Sequence, residues 1–426
     1  MIWEDPTHQG PVGQLPPDDW LRDAATRAVV EALSRAGGEP RFVGGCVRDS
    51  LARRAVRDID LATPLPPRAI ISALEDAGLK ALPTGIKHGT ITAVSSGKTF
   101  EITTLRRDVA TDGRHAEVAF TDDWTEDAKR RDFTINALSA SPEGAVFDPF
   151  DGLGDLAHGR VRFVGPPEHR IREDYLRILR FFRFYATHGR PPADKAALEA
   201  CRLQASHITD LSAERVWAEF RKILLSPQPA EVLGLMQGVG VLQQIVFGPV
   251  RIGRLRLLAW LETDGLKIET AKPDPIRRLA ALIDGPEAEG LATRLKLSNA
   301  DRTRLIEITR ARLATLGEIG PELYEKGREV VADHLLIQLA EAREDGGVAA
   351  QRIDALVTAL EETASWKKPI FPLTGHDVAG LGIPPGPLTG RLLRQVESWW
   401  VGAGFQPDRQ ACLERLAQAA TDDQEH

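Results

Sequence analysis

The sequence predicts an α/β domain, with a small mixed sheet and flanking helices, followed by a long part of the chain that is entirely helical. Two patterns carry this prediction. Over the first 165 residues, short apolar runs alternate with turn residues and with helical stretches. From Leu211 onward, the apolar residues recur at helical spacing. At 426 residues the chain is too long for one ordinary hydrophobic core, so several domains are expected.

The composition predicts an ordinary globular protein, with 42% hydrophobic and 27% charged residues. A net charge of −7 argues against a general nucleic-acid coat, but an enzyme acting on nucleic acid needs only a local basic surface. Cys46, Cys201 and Cys412 fit neither a zinc pattern nor a disulfide framework. No secretory leader and no apolar run of membrane-spanning length is seen. We therefore expect a cytoplasmic protein that does not bind membranes.

The first elements follow from their end signals. A helix is predicted from Asp18 or Asp19 to about Ala36, where two glycines end it. A second helix is predicted over residues 68–77 and is followed by alternating strands that are joined by a Ser-Gly turn at residues 96–97.

The stretch RFVGGCVRDSLARRAVRDIDLAT, residues 41–63, carries the first chemical signal. Asp58 and Asp60 stand two residues apart, so on an extended strand their carboxylates share one face. Such a pair suits Mg²⁺, which binds through one or two carboxylates together with substrate phosphates. Gly45 and its preceding glycine allow backbone N–H groups to approach a triphosphate, and Arg48 offers a forked donor to it.

GGCVRD and DID at this spacing resemble motif A of the class II nucleotidyltransferases, which add CCA to tRNA 3′ ends or poly(A) to RNA. The resemblance implies that Glu101 faces Asp58 and Asp60 as a third carboxylate; the alternative is a solvated glutamate on a strand. Residues 84–90 look like the form found in bacterial CCA-adding enzymes. The Gly-Arg-Arg-Phe signature of bacterial poly(A) polymerases is missing there.

Three further segments support this resemblance. KRRDFTINAL, residues 129–138, resembles motif B, which implies that Arg131 reaches the phosphates, Asp132 the ribose or the metal-side network, and that Asn136 braces the loop. Residues 148–162 resemble motif C. Residues 108–120 are interpreted as a mobile polar loop that returns to a strand; the resemblance implies that members adding only CC lack a comparable loop.

The segment REDYLRILRFFRF, residues 172–184, is predicted to be one helix. Asp174, Arg177, Arg180 and Arg183 follow at steps of three, so neighbouring members can meet side by side. An aspartate only accepts hydrogen bonds and an arginine only donates them. Together Asp174 and Arg177 match the donor and acceptor of cytosine and adenine, and they oppose guanine and uracil.

This pattern also resembles motif D of the family (Glu-Asp-x-x-Arg), which is credited with selecting the nucleotide; Glu173 would orient Arg177. The alternative is a helix lined by intrahelical salt bridges. Residues 211–226 resemble motif E, with Glu214, Arg215 and Glu219 as braces, and the later helices resemble the tRNA-binding body and tail. The body arginines are expected to be solvated: Arg251, Arg254, Arg256, Arg302 and Arg304.

The combined expectation is a metal-dependent enzyme that adds CCA to tRNA from CTP and ATP. Predicted domains are a catalytic head (residues 1–165), a helical neck (166–250) and a helical body and tail (251–426). Mg²⁺ is the expected cofactor, and no obligate protein partner is inferred. The predicted site residues are Asp58 and Asp60 for the metal, Glu101 as a further catalytic carboxylate, and Gly45, Arg48, Arg131, Asp174, Arg177, Arg180 and Arg183 for the nucleotide.

Two kinds of alternative remain open. One is an enzyme of the same fold that makes poly(A), or that adds only A or only CC. The missing Gly-Arg-Arg-Phe signature argues against poly(A), and the segment at residues 108–120 argues against addition of CC alone. The other is a catalytically inactive tRNA-binding protein, which the intact set of charged motif residues disfavours.

Overall fold

The computed structural model describes residues 10–111, 116–268, 271–310, 319–344 and 350–424. The chain forms two compact units, Met1–Phe247 and Gly248–His426. The predicted division of the first unit at residue 165 stays a prediction.

The first unit contains an eight-stranded mixed sheet and a separate hairpin. The order in the sheet is β1-β10-β9-β2-β3-β6-β5-β4, and β3 and β6 run parallel, whereas the other neighbouring pairs are antiparallel. The strands are β1 (Gly13–Gln14), β2 (Arg41–Val43), β3 (Ile59–Thr63), β4 (Lys80–Gly85), β5 (Thr90–Ser95), β6 (Lys98–Thr104), β7 (Arg106–Thr111), β8 (Ala116–Phe120), β9 (Ser139–Ala140) and β10 (Ala145–Phe147).

The helices of the first unit flank this sheet and then continue alone. They are α1 (Asp19–Arg22), α2 (Ala24–Arg35), α3 (Gly45–Leu51), α4 (Pro67–Asp76), α5 (Trp124–Lys129), α6 (Gly152–His158), α7 (Pro167–Glu173), α8 (Leu176–His188), α9 (Lys195–Gln204), α10 (Ala213–Leu224) and α11 (Pro229–Gly238). The single helix predicted from Asp18 or Asp19 is wrong, because Asp23 interrupts it. Asp23 has ψ 135° and its side chain accepts a hydrogen bond from Ala25 N, so it caps α2.

One face of the sheet is closed by helices and the other carries the polar residues. Phe42, Leu61 and Phe100 pack with α2 and α4 in the main core of this unit. Because side chains alternate along a strand, Asp60 and its register partner Glu101 point to the opposite face. The sheet thereby separates the hydrophobic core from the candidate site.

The loop predicted at residues 108–120 is mostly a hairpin. Strands β7 and β8 pair in antiparallel register, with Arg107 opposite Ala119. The predicted return to a strand is found as β8, but residues 108–111, which were expected in the loop, belong to β7, because valine and threonine favour extended backbone. Residues 112–115, at the centre of that predicted loop, lie outside the described residues.

The described part of the second unit is helical. Its helices are α12 (Ile252–Trp260), α13 (Pro275–Leu282), α14 (Ala288–Arg294), α15 (Asn299–Arg310), α16 (Gly320–Lys326), α17 (Arg328–Glu344), α18 (Ala350–Ser365), α19 (Gly375–Ala379), α20 (Pro387–Gly402) and α21 (Arg409–Gln424). The predicted order, an α/β head followed by helical domains, is confirmed. Across the described residues, no helix combines the length and apolar character needed to cross a bilayer.

A buried chain of ion pairs links the helices of the second unit; we call it the body network. Glu262 accepts from Arg277 Nε at 2.8 Å and from Arg278 Nε at 2.5 Å, and Asp333 accepts from Arg304 Nε at 2.8 Å. Arg277 Nη1 lies 3.3 Å from Asp333 Oδ1 and joins the two halves.

Two of the body arginines expected to be solvated are not. Arg304 belongs to the body network, and Arg254 is buried and donates to Glu341 at 2.6 Å. Their positions opposite these carboxylates depend on helix packing, which the local charge pattern does not reveal.

Candidate active site

The carboxylates of the candidate site come from two neighbouring strands. Asp60 lies on β3 and Glu101 on β6, and the parallel register places them side by side on the open face of the sheet. Asp58 precedes β3 and is exposed, as is Glu101, whereas Asp60 is half-buried.

Asp60 has a raised pKa. Burial, together with the negative charges of Glu101 and Asp58, raises the pKa of its carboxyl group to about 6 against the opposing effect of Arg131. Within the described residues, no three His, Cys, Asp or Glu side chains already form a metal-binding group. The site therefore offers adjacent hard oxygen ligands, but no assembled cage among the described residues.

Gly44 brings motif B close to motif A. Its φ of +68° and ψ of −120° turn the chain from β2 into α3, a conformation that residues with a side chain rarely adopt. A Cβ atom at this position would lie 3.1 Å from Arg131 Nη1. The glycine thus allows the Arg131 guanidinium to lie directly against the turn.

Four side chains form a hydrogen-bonded series that we call the cavity network. Arg48 Nη1 donates to Asn136 Oδ1 at 2.6 Å, Asn136 Nδ2 donates to Asp132 Oδ1 at 2.9 Å, and Arg180 Nε donates to Asp132 Oδ2 at 2.8 Å. Burial works to raise the pKa of the Asp132 carboxyl group, but Arg180 and Asn136 outweigh it, so this pKa is lowered. Asp132 is therefore held as a charged carboxylate between motif A and the neck.

The helix predicted over residues 172–184 is broken at Asp174, so the prediction of one continuous helix is wrong. Asp174 is extended, with φ −158°, between α7 and α8. Its Oδ1 accepts from Leu176 N at 3.1 Å and its Oδ2 from Arg215 Nη2 at 2.6 Å. Because the side chain caps the backbone of the next turn and is bound by Arg215, the extended conformation is favoured over the helical one.

Arg177 lies in the first turn of α8 and is fixed from α7. Its Nη1 donates to Glu173 Oε2 at 2.5 Å and to the carbonyl oxygen of Arg170 at 2.8 Å. The contact with Glu173 is the one predicted, whereas its role in orienting Arg177 towards a base stays a prediction.

A cavity of about 520 Å³ collects most of the predicted nucleotide residues. Among the described residues, six arginines and three aspartates line it, a cationic surplus that suits a polyphosphate. Its lining comprises Gly44, Gly45, Arg48, Asp60, Arg130, Arg131, Asp132, Asn136, Asp174, Leu176, Arg177, Arg180, Phe184 and Arg215. The predicted residues Asp58, Glu101 and Arg183 do not belong to this lining.

Arg183 has other contacts. Its Nε donates to Glu219 Oε2 at 2.5 Å, and its guanidinium lies over the ring of Phe184, 4.0 Å from the centroid. It therefore supports the wall of the cavity from behind, through Phe184, which no motif reading selected.

A second cavity of about 570 Å³ shares Arg131 with the first. It lies around Arg41, whose guanidinium is 4.2 Å from the ring centroid of Trp124 and 3.7 Å from that of Phe147. We assign the site to the 520 Å³ cavity, because it contains Asp60 and the residues of motifs A, B and D together.

Arg170 is a connecting residue that the sequence reading missed. It is buried on α7, and its Nη2 donates to the carbonyl oxygens of Arg130 and Arg131 at 2.6 and 2.9 Å. A local signal existed, since Arg170 precedes Glu173 by three residues, the spacing of a helical ion pair. Its contacts with residues 130 and 131 join distant parts of the chain and could not be predicted from the sequence.

Family models match two parts of the chain. Residues 40–162 match the model described as Poly A polymerase head domain, and residues 194–249 match the one described as Probable RNA and SrmB- binding site of polymerase A.

The chain is also similar to whole proteins. It is 34% identical over 412 residues to CCA tRNA nucleotidyltransferase 1, mitochondrial, of Mus musculus, covering 94% of this chain and 91% of the relative. It is 30% identical over 415 residues to the CCA-adding enzyme of Limosilactobacillus fermentum, covering 91% and 94%.

Solved structures share the fold at lower identity. The CCA-adding enzyme of Bacillus stearothermophilus in complex with CTP has a TM-score of 0.71 at 23% identity, covering 94% of this chain and 98% of that one. The Thermotoga maritima CCA-adding enzyme complexed with tRNA has a TM-score of 0.64 at 17% identity, covering 96% and 100%.

Proposed function

This chain belongs to the family of CCA-adding tRNA nucleotidyltransferases, and from this premise we propose how its cavity completes tRNA 3′ ends with C, C and A from CTP and ATP. One observation carries the proposal. Asp60, the arginines of motifs A and B, and the pair Asp174 and Arg177 border the same 520 Å³ cavity. A nucleotide in it can meet phosphate-binding, metal-side and base-reading groups at once.

Enzymes of this family depend on a metal ion, and we propose Mg²⁺ for this chain. The residues present fit such an ion, because Asp58 and Asp60 offer hard oxygen ligands, and burial and the neighbouring carboxylates Glu101 and Asp58 raise the pKa of Asp60. Asp58 and Asp60 would hold it, with Glu101 beside them. When bound, Mg²⁺ supplies charge stabilisation at the α-phosphate and favours the attacking form of the RNA 3′-hydroxyl.

The chain's own residues position the triphosphate. Gly45, Arg48 and Arg131 would bind its oxygens, and the cavity network keeps Arg48 in place through Asn136. The 3′-hydroxyl of the RNA loses its proton to solvent and its oxygen forms a bond to the α-phosphorus, while the bond from that phosphorus to the leaving pyrophosphate breaks in line with it. Pyrophosphate is the leaving group, and these arginines would compensate its negative charge until it is released.

Asp174 and Arg177 would select the base. Cytosine and adenine present an amino donor to the carboxylate and a ring-nitrogen acceptor to the guanidinium, whereas guanine and uracil present the reverse. Arg215 binds Asp174 and Glu173 binds Arg177, so both base-selecting side chains are held in place. The Asp174 oxygen that is bound by Arg215 still has a lone pair that can accept a hydrogen bond from a base. Arg180 lies beside them, and Arg183 acts indirectly.

The decisive experiment offers CTP, ATP or both, with Mg²⁺, to tRNA transcripts ending before CCA, after C and after CC. Addition of two C residues and one A, followed by a stop, is the expected result. Long A tracts would indicate a poly(A) polymerase, and products of C alone or A alone a partial activity. Tight tRNA binding without incorporation would indicate an inactive tRNA-binding protein.

A cytoplasmic location is part of the proposal. It is supported by three cysteines that form no disulfide among the described residues. Relatives in Mus musculus and other animals carry a mitochondrial name. Cell fractionation with detection of the native protein tests the location.

A further inference from the structure

Arg170 spans two functional segments of the first unit with one buried guanidinium. The residue is 8% exposed. Its Nη2 donates to the carbonyl oxygens of Arg130 and Arg131, at the end of α5, at 2.6 and 2.9 Å. Its Nη1 donates to the carboxylate of Glu173. A buried cation held by three acceptors has little freedom to move, since loss of any bond leaves polar groups unsatisfied.

The acceptors that hold Arg177 both depend on Arg170. Glu173 Oε2, which Arg170 binds, accepts from Arg177 Nη1 at 2.5 Å. The same Arg177 nitrogen also donates to the backbone carbonyl of Arg170, at 2.8 Å. The position of the Arg177 guanidinium is thus defined relative to Arg170 and not only by its own helix.

The other end of the bridge is the residue assigned to the triphosphate. Arg170 binds the main chain of Arg131, whose guanidinium lies against Gly44 in the turn of motif A. One side chain therefore connects the backbone beneath Arg131 with the carboxylate that orients Arg177.

We infer that Arg170 is a positioning residue that couples base recognition by Arg177 to triphosphate binding by Arg131; the inference rests on the proposed function. A base that pairs with Asp174 and Arg177 leaves this bridge undisturbed, so the triphosphate stays aligned. A mismatched base that displaces Arg177 pulls on Glu173 and Arg170 and shifts the segment carrying Arg131. Base choice then affects the rate of transfer as well as binding.

Arg170→Lys tests this coupling while keeping the positive charge. The lysine ammonium lacks the planar fork that reaches Arg130, Arg131 and Glu173 at once. We expect the ratio of kcat/KM for CTP over UTP, on a tRNA transcript lacking CCA, to fall about tenfold or more, since misplacement by 1 Å can cost about 100-fold. The loss should appear in kcat for CTP, with the Kd for tRNA close to wild type, when both are measured at a temperature where the variant is folded.

Arg162→Lys is the matched control. Arg162 also contacts carboxylates and a carbonyl, with Nε 2.9 Å from Asp155 Oδ2 and Nη2 3.1 Å from the oxygen of Phe150 and 3.9 Å from Asp151 Oδ2, but it does not line the cavity. This variant should keep the wild-type ratio of CTP over UTP even if its Tm decreases.

Glu173→Gln provides a second route to the same measurement, should Arg170→Lys fold poorly. It weakens the link to Arg177 and leaves the carbonyl contacts of Arg170 in place. The CTP-over-UTP ratio of kcat/KM should fall in this variant as well. In the double variant with Arg170→Lys, the loss of discrimination, expressed as free energy, should be smaller than the sum of the two single losses.

A wild-type CTP-over-UTP ratio in folded Arg170→Lys, or an equal fall of that ratio in Arg162→Lys, would overturn the inference. Failure of the wild-type protein to add C to tRNA is a different result, because it rejects the proposed function itself.

Discussion

Each unit buries a cluster of arginines and carboxylates, but the carboxyl pKa values shift in opposite directions in the two clusters. In the cavity network, Asp132 keeps a lowered pKa, because Arg180 and Asn136 outweigh the effect of burial. In the body network, burial dominates and raises the pKa values of the Glu262 and Asp333 carboxyl groups despite their arginine partners. The two clusters contain similar residue types but differ in what surrounds them.

The difference is the open volume beside the cluster. The cavity network borders a space of about 520 Å³ together with Asp60, whose pKa is raised by burial and by the negative charge of Glu101. In the body network, both carboxylates of the series bind two arginines each, and Glu262 and Asp333 are 6% and 0% exposed. A charged cluster that pairs within itself contributes to the fold, whereas one that leaves charge facing a cavity can bind a ligand. Burial alone does not separate the two.

The largest expected effect lies at Asp60. Asp60→Asn keeps the shape of the side chain and removes the charge beside Glu101. Incorporation of C and A should fall by about 10³-fold or more, since charge stabilisation by a bound metal is worth several kcal/mol. Filter binding should show that the Kd for tRNA changes little. Turnover near wild type would remove the metal assignment of Asp60.

The matching change in the body network is Asp333→Asn. Loss of one partner from a buried ion pair costs about 3–5 kcal/mol of unfolding free energy, because the remaining charges are left uncompensated. Urea unfolding should show this loss. At a temperature where the variant is folded, kcat and KM for CTP should match wild type. A specific loss of kcat in the folded variant would contradict the contrast between the two networks.

The third effect concerns selectivity rather than rate. Asp174→Asn places both a donor and an acceptor before the base, so uracil can pair. The CTP-over-UTP ratio of kcat/KM should fall about 10- to 100-fold, the value of about 1–3 kcal/mol for one mispaired buried group. Asp210→Asn is the control, since Asp210 pairs with His207 outside the cavity. Unchanged rejection of UTP and GTP by Asp174→Asn would remove the selecting role.

The smallest effect is a pH dependence in each unit. Burial, aided by Arg48, lowers the pKa of His188 to about 3, and burial, aided by Lys326, lowers that of His334 to about 4. Both imidazoles are neutral when folded, so their stability contribution is complete above the unfolded pKa of about 6.5 and is lost as the pH falls towards the folded values. Each contributes a slope of at most about 1.4 kcal/mol per pH unit.

Hydrogen exchange resolved by segment, compared at pH 7 and pH 5, separates these two histidines. His188→Gln should reduce the acid sensitivity of the first unit only, and His334→Gln that of the second unit only. If neither substitution changes the difference between the two pH values, the buried histidines do not control acid stability.

Features of the site that depend on neighbouring residues could be predicted from the sequence, whereas features that depend on distant residues could not. The glycine turn, the Asp58–Asp60 spacing and the order of strands before helices all depend on neighbouring residues, and the turn, the β3 strand and the order of elements are found in the structure. The break at Asp174 was missed, because the segment contains no glycine or proline to announce it. It depends on Arg215, which lies 41 residues further along the chain.

Arg183 and Arg170 show that helix periodicity does not identify the partners of a side chain. Periodicity gave Arg183 a place beside the nucleotide, but Glu219 on α10 holds it behind Phe184. Arg170 had no assigned role, yet it reaches the main chain of residues 130 and 131. Helix periodicity gives the direction of a side chain relative to its own axis, but the partner that it meets depends on how helices pack.

The short turn between β5 and β6 has a consequence for the carboxylates on the far end of the sheet. Ser96 and Gly97 both have positive φ, 50° and 77°, so Ser95 pairs directly with Lys98 in a two-residue hairpin. This pairing sets the frame in which β6 runs beside β3. An insertion of one residue that shifted β6 by one position would turn Glu101 into the hydrophobic layer and bring a neighbour such as Phe100 or Ile102 beside Asp60. This hairpin, which does not belong to the lining of the 520 Å³ cavity, thus decides which side chain stands next to Asp60, the proposed metal ligand.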